Sequence, residues 1–279
     1  MIALPSRLPR LLGTVAGVAS VLIAVIVWLV LLGPFAALLA QISPHAIRAT
    51  LGAPGALDPL WTSLEASAVA LVSMILLGTP LSYLLARGRL PAPRLVEAGV
   101  ILPLLMPPLV IGLLLIFVIG RTGFPGAALS DINPNVFGVN TFFALVVAEF
   151  YEAAPYYVLS ATAAFATVDA RLETDAQLLG DRPAAAFAKV TIPLAAPGLA
   201  AGLAISWARA MAAFGAVLIV AYNPAGLPLQ IDTSFIENGL SGSMPYALLL
   251  VVAALPLPLL AFLWAARARA RSASTAAGL

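Results

Sequence analysis

The sequence predicts an all-α integral membrane protein with six transmembrane helices and both termini on the cytoplasmic side. Three observations carry this. Hydrophobic residues make up 62% of the 279-residue chain and charged residues 9%, at a mean hydropathy of +1.05, more apolar surface than a soluble core can use. Six apolar runs, roughly 11–32, 63–86, 98–120, 138–165, 194–222 and 244–266, approach or exceed the ~20 residues a helix needs to cross ~30 Å of hydrocarbon. Basic residues then alternate between the intervening segments. Arg7 and Arg10, then Arg87, Arg89 and Arg94, then Arg171, Arg182 and Lys189, then Arg267, Arg269 and Arg271 share the N-terminal side. Only Arg48 and Arg121 fall on the other side, and Arg209 lies inside a span. Lys and Arg accumulate on the cytoplasmic face, which fixes the orientation.

In chain order, the first run outlasts the ~7–15-residue core of a signal peptide and shows no clear small-residue cleavage site, so it is expected to remain as a span. Residues 1–60 therefore form an N-terminal helix with an external loop, 61–266 a core of five spans, and 267–279 a cytoplasmic tail. The external segments 33–61, 121–137 and 223–243 are rich in Gly, Pro, Asn and Ser and read as turns, with His45 as a loop residue. In ILPLLMPPLVIG, Pro103, Pro107 and Pro108 break a continuous helix. A membrane tolerates that only where protein or a water cavity satisfies the freed carbonyls, so Pro107 and Pro108 are either a packing kink or part of a pathway.

A polar island, DARLETDAQLLGDRPAAAFAKVTIP, separates the fourth and fifth runs. Asp169 is a suitable N-cap, and Leu172, Ala176 and Leu179 recur at helical spacing as an apolar stripe. Gly180 closes the helix because it takes left-handed conformations without steric cost. Asp181 and Pro183 open a second short helix, and Pro193 marks the passage into the next span. Helix, glycine turn and helix at a membrane border describe a docking surface.

Catalytic chemistry finds no foothold. There is no G-x-x-x-x-G-K-[ST] loop, no H-E-x-x-H and no G-x-S-x-G, and a His-dependent triad would have to use His45. The absence of cysteine excludes disulfides and cysteine-ligated metals, and no metal site is expected. Basic residues form no stripe with interleaved aromatics, so nucleic acid is not an expected partner. The informative polar residues lie inside spans. Glu149 and Glu152 are three apart on one helical face, and Arg209 sits in SWARAMAAFGA. At such depths each charge costs at least ~2.5–3.5 kcal/mol, so all three are expected to face the interior and pair. A structural clamp and a gate on a transport path both fit, as does proton carriage by the two glutamates in a gradient-driven transporter.

The island resembles the EAA loop of ABC-importer permeases, in which E-A-A is followed after three residues by G and after nine more by I-x-L-P. Ala176, Gly180, Val190 and Pro193 match it; Thr174 and Asp175 do not, and Glu173 lies one place before the expected glutamate. Further segments, LPLLMPPLVIG at 102–112, FYEAAPYYV at 150–158 and SWARAMAAFGAVLIVAYN at 206–223, are similar to permeases for molybdate, tungstate and, less closely, sulfate. That group has W-A-R-A-x-x-E-F-G-A where this chain has Trp207, Ala208, Arg209, Ala210, Phe214, Gly215 and Ala216, with Ala213 in place of the glutamate. The resemblance spans about residues 60–266 and implies a type I importer permease fold. It implies that Asp169, Glu173, Asp175, Ala176, Gly180, Asp181, Arg182, Lys189 and Pro193 dock a cytoplasmic ATPase dimer. Candidates for the pathway or gate are Glu149, Glu152, Arg209, Phe214, Gly215, Pro107 and Pro108. It further implies a second permease copy, most simply as a homodimer, and an external substrate-binding protein. The chain itself would bind no cofactor; ATP and Mg would sit on the ATPase. Sulfate, thiosulfate or another small solute stays open as cargo.

Overall fold

The computed structural model describes residues 8–41 and 44–264, and every regular element among them is helical. The described chain divides after Thr50. The first unit holds α1 (Leu8–Gln41), whose side chains from Val21 to Leu32 are apolar and mostly exposed, as a helix surrounded by lipid requires. It is followed by α2 (Pro44–Leu51). Segment 33–61 is thus not the run of turns the sequence suggests. The helix continues through Pro34 because PFAALLAQ is made largely of helix-favouring Ala and Leu, and His45 lies exposed on α2.

In the second unit α3 (Asp58–Ser73), a π-helical turn (Met74–Gly78) and α4 (Thr79–Ala86) form one span. Then come α5 (Pro93–Leu105), α6 (Pro108–Ile119), α7 (Gly126–Ile132) and α8 (Phe142–Ala166). Thr141 starts α8 by accepting a hydrogen bond from the Ala144 amide at 3.2 Å. After α9 (Ala170–Leu178), a second continuous stretch joins α10 (Pro183–Ala186), a π turn (Phe187–Thr191) and α11 (Ile192–Met211). The short α12 (Gly215–Val220) and α13 (Leu227–Ala254) follow, and the helix resumes over 256–264. Among the described residues five stretches are long and apolar enough to cross a membrane, and the bent α5–α6 pair, taken as one span, brings the number to six. The tail 267–279 lies outside the described residues.

Several expectations change. The run 98–120 is not a straight span: α5 and α6 meet at 119°. Met106 and Pro107 are both extended (ψ 141° and 137°), since a residue before proline is driven out of the helical region. The run 194–222 breaks after Met211, and α12 sets off separately. The segment 223–243, expected as turns, is helical from Leu227, with a break at Gly239 (φ +68°). Ser63 opens it by accepting from the Leu227 amide at 2.8 Å. Pro193 stands in the first turn of α11, and helix continues into it from the π turn before. Both π turns end two residues before a proline, Pro80 and Pro193. The wider turn makes room at the carbonyl that a proline ring would strike in a regular helix.

The packed centre is α8. Its Ala153, Tyr157, Ala161, Ala164 and Phe165 meet Ala70 and Met74 on one side and Ala195, Leu199 and Ala210 of α11 on the other. Small residues set the approach: a Cβ on Gly198 would stand 2.5 Å from the Ala164 Cβ, and one on Gly202 would stand 2.8 Å from the Ser160 Cβ. A G-x-x-x-G pair facing alanine and serine is how helices come close without a hydrophobic effect between them.

Candidate functional site

Two polar clusters stand out, one around the docking segment and one in the middle of α8. The first is built on α9. Asp169 caps it as the sequence suggests, accepting from the Arg171 amide at 2.9 Å. At the other end the Gly180 amide donates to the Gln177 carbonyl (3.0 Å) and the Asp181 amide to the Ala176 carbonyl (3.1 Å). With Gly180 at φ +104°, this is a Schellman ending. Arg182 is extended and Pro183 opens α10, which turns the chain back toward the bundle. Exposed Asp175 and Arg182 point to solvent, and Lys189 reaches Asp181 at 2.5 Å across the surface.

The stripe of Leu172, Ala176 and Leu179 does not face inward. Leu178 and Leu179 are 81% and 89% exposed and Leu172 is exposed as well, while Glu173 is buried. The inversion has an electrostatic cause. Glu173 accepts from the Tyr83 hydroxyl (2.5 Å) and the Thr191 hydroxyl (2.5 Å) and forms an ion pair with Arg87. Arg87 in turn donates to the Val168 carbonyl at 2.8 Å. Tyr83 stands edge-on to Phe165 and Phe187, which encloses the pair. Burial pushes the Glu173 carboxyl up, but the hydrogen bonds from Thr191, Tyr83 and Arg87 and the Arg87 charge outweigh it, holding the group below the ordinary carboxylate range. Glu173 is therefore buried among these partners, unlike exposed Asp175 and Arg182. It ties α9 to the end of α4, the end of α8 and the π turn before α11. Sequence reasoning missed Tyr83, Arg87 and Thr191. Arg87 counted only toward orientation, and partners about 90 and 18 residues away along the chain leave no local pattern.

The second cluster joins Glu152 and Arg209, whose Nη2 donates to Oε2 at 2.9 Å. The other Glu152 oxygen accepts from the Ala216 amide at 3.2 Å, in the first turn of α12. A carboxylate from α8 thus caps α12 and pairs with a cation in the last turn of α11, matching both helix dipoles at the break. Glu149 does not join them. It accepts from Ser67 of α3 at 2.8 Å and has no ion pair among the described residues. Phe214 is the non-helical residue before α12. A Cβ on Gly215 would stand 2.6 Å from the Pro108 Cβ, and one on Gly112 would stand 3.0 Å from the Ala216 carbonyl oxygen. Pro108 at the head of α6 therefore lies against Gly215 at the head of α12, so two helix breaks meet beside the Glu152–Arg209 pair. No group of His, Cys, Asp or Glu among the described residues is arranged to hold a metal.

Residues 78–272 match the family described as binding-protein-dependent transport system inner membrane component. The chain is 34% identical over 232 residues to a probable molybdenum ABC transporter permease protein of Haloferax volcanii, covering 83% of this chain and 84% of that one. It is 32% identical over 257 residues to the molybdenum transport system permease protein of Mycobacterium tuberculosis (90% and 93% covered). To the molybdate/tungstate transport system permease protein of Thermococcus kodakarensis it is 34% identical over 203 residues (72% and 76%). Among solved structures, a bacterial ABC transporter involved in the import of the acidic polysaccharide alginate aligns at a TM-score of 0.66 and 17% identity, over 94% of this chain and 99% of that one. The alginate transporter in complex with its alginate pentasaccharide-bound periplasmic protein aligns at 0.63 and 18% identity, over 93% and 96%. These two likenesses concern the fold.

Proposed function

This chain belongs to the inner membrane components of binding-protein-dependent transport systems, and we propose that it is the transmembrane permease of an ATP-driven importer whose cargo is molybdate or tungstate. The names of its relatives support the cargo, and the chain's own geometry supports the coupling. One observation carries the reading: α9 presents Leu178 and Leu179 to solvent while its charged Glu173 is turned inward. Neighbouring exposed leucines on a capped, anchored helix make a surface built to be covered by another protein. We assign that cover to a cytoplasmic ATPase dimer that holds ATP and Mg, and the basic-residue bias puts 169–193 and both termini on its side of the membrane.

In this reading two copies of the chain enclose a pathway, and a binding protein delivers the oxyanion from outside. Closure of the ATPases on ATP draws the two docking segments together. Because Glu173 ties α9 to the ends of α4 and α8, that displacement reaches the spans. The pathway opens outward, and hydrolysis returns it inward. Purification of the tagged chain from mild detergent with its neighbouring gene products tests this. A stoichiometric ATPase is expected to co-elute, and Leu179→Asp is expected to release it while the chain still inserts. A chain that elutes alone, or a Leu179→Asp variant that keeps its ATPase, overturns the assignment.

A further inference from the structure

Arg209 is where geometry and the membrane conflict most sharply. Its partner Glu152 lies near the middle of α8, so the pair sits near the middle of the bilayer. There Glu152 is fully committed, one oxygen to Arg209 and the other to the Ala216 amide, and its side chain is 1% exposed. Arg209 is not: its side chain is 35% exposed, and its buried Nε has no hydrogen-bond partner among the described residues. Ile205, one turn before it, and Ala212, just past the end of α11, are exposed as well. A guanidinium group that faces hydrocarbon at this depth is costly, so this face of α11 must meet water or a polar partner. The donors left over are planar and arranged as a fork, which suits two oxygens of one anion. Beside it the heads of α6 and α12 leave irregular backbone at membrane depth, which a membrane protein keeps only where it is buried in protein or lines a water-filled cavity.

We propose that the exposed edge of Arg209 is the contact that holds a tetrahedral oxyanion half-way across the membrane, with Glu152 as the positioning residue that aims it. This rests on the oxyanion-permease reading above. Glu152 lowers the net charge of the contact, so the anion is held loosely enough to leave.

The test uses the full transporter in proteoliposomes with loaded binding protein, and follows molybdate uptake and ATPase activity. Arg209→Gln is expected to cut uptake at least tenfold while binding-protein-stimulated ATPase activity persists. The deciding variant is Glu152→Gln with Arg209→Gln, which leaves no buried charge unpaired. If Arg209 serves only to neutralise Glu152, this double variant transports like the wild type and the proposal fails. If Arg209 contacts the anion, uptake stays lost. A second readout is independent of turnover. The chain has no cysteine, so Ala212→Cys offers a single thiol just past the end of α11. It is expected to react with a charged, membrane-impermeant thiol reagent and to be protected by molybdate. A thiol that never reacts, or reacts without protection, overturns the contact. A wild type that moves no oxyanion at all refutes the permease reading instead.

Discussion

Replacing Glu173 with alanine is expected to release the docking segment from the bundle. The Arg87 and Glu173 side chains are 8% and 6% exposed, and the Arg87 Nε already lacks a hydrogen-bond partner. Removing one member of such a pair leaves the other buried without compensation, at a cost of about 3–5 kcal/mol. The lower figure corresponds to a factor of about 150 in the opening equilibrium of α9. Amide hydrogen exchange reads that equilibrium directly, so the α9 amides should exchange about a hundredfold faster in Glu173→Ala, up to the limit set by their wild-type protection. The amides of α8 around Ala161 should hardly change. Asp175→Ala, an exposed neighbour on the same helix, is the control and should be silent. Replacing both partners, Arg87→Met with Glu173→Met, should recover much of the loss, because no buried charge remains. The depressed folded-state pKa also sets the pH profile. The contribution is fully present above the unfolded value of about 4.3 and is lost as pH falls through the folded value below it. Protection of α9 should thus be flat from pH 8 to 5 and collapse only in stronger acid. Unchanged exchange in Glu173→Ala, or a loss of protection already at pH 6, would refute the clamp.

Gly198→Val should separate α8 from α11, since even a Cβ there would meet the Ala164 Cβ at 2.5 Å; about 1–3 kcal/mol of overpacking is expected as a lower melting temperature in detergent. Gly215→Val should disturb the contact of α12 with Pro108 and reduce transport more than it reduces thermal stability, as paired uptake and melting measurements would reveal. Lys189→Ala breaks only a surface pair, with side chains 64% and 30% exposed, and should change stability by less than about 0.5 kcal/mol. Thr141→Ala removes the cap of α8 and should cost about 1 kcal/mol by the same melting assay.

What the sequence made legible were features written locally. The cap at Asp169, the glycine ending at Gly180 and the proline opening at Pro183 each depend on a few adjacent residues, and all three stand as read. The existence of the apolar spans was equally plain. Their shapes were not. The break at Ala212–Phe214 contains neither glycine nor proline, and it is held by Glu152, a residue distant in the chain. Pairing inside the membrane was legible as a requirement but not as an assignment: Arg209 takes Glu152, and Glu149 goes to Ser67. The inward turn of Glu173 was hidden for the opposite reason. A charged residue between Arg171 and Asp175 reads as part of the solvent face of a helix until its partners are known, and here Tyr83, Arg87 and Thr191 reverse the face.

The two clusters share their supports, and that bears on how motion at one end reaches the other. The tip of α8 gives its Val168 carbonyl to Arg87, and its middle carries Glu152. The π turn before α11 gives Thr191 to Glu173, and the last turn of α11 carries Arg209. Between these points α8 and α11 touch through Gly198 and Gly202 against Ala164 and Ser160, with Tyr157 packed at the same seam. Helices packed this closely move together, because a rotation of one drives Cβ atoms into the backbone of the other. A pull on α9 is therefore delivered through Glu173 to both helices and reaches the Glu152–Arg209 pair as a shift of the α12 head against Pro108. This yields a last prediction. Glu173→Gln in an assembled transporter should raise the ATP hydrolysed per oxyanion moved, with ATPase activity retained and uptake reduced. A proportional fall in both would mean that the clamp only holds the docking surface in place and transmits nothing.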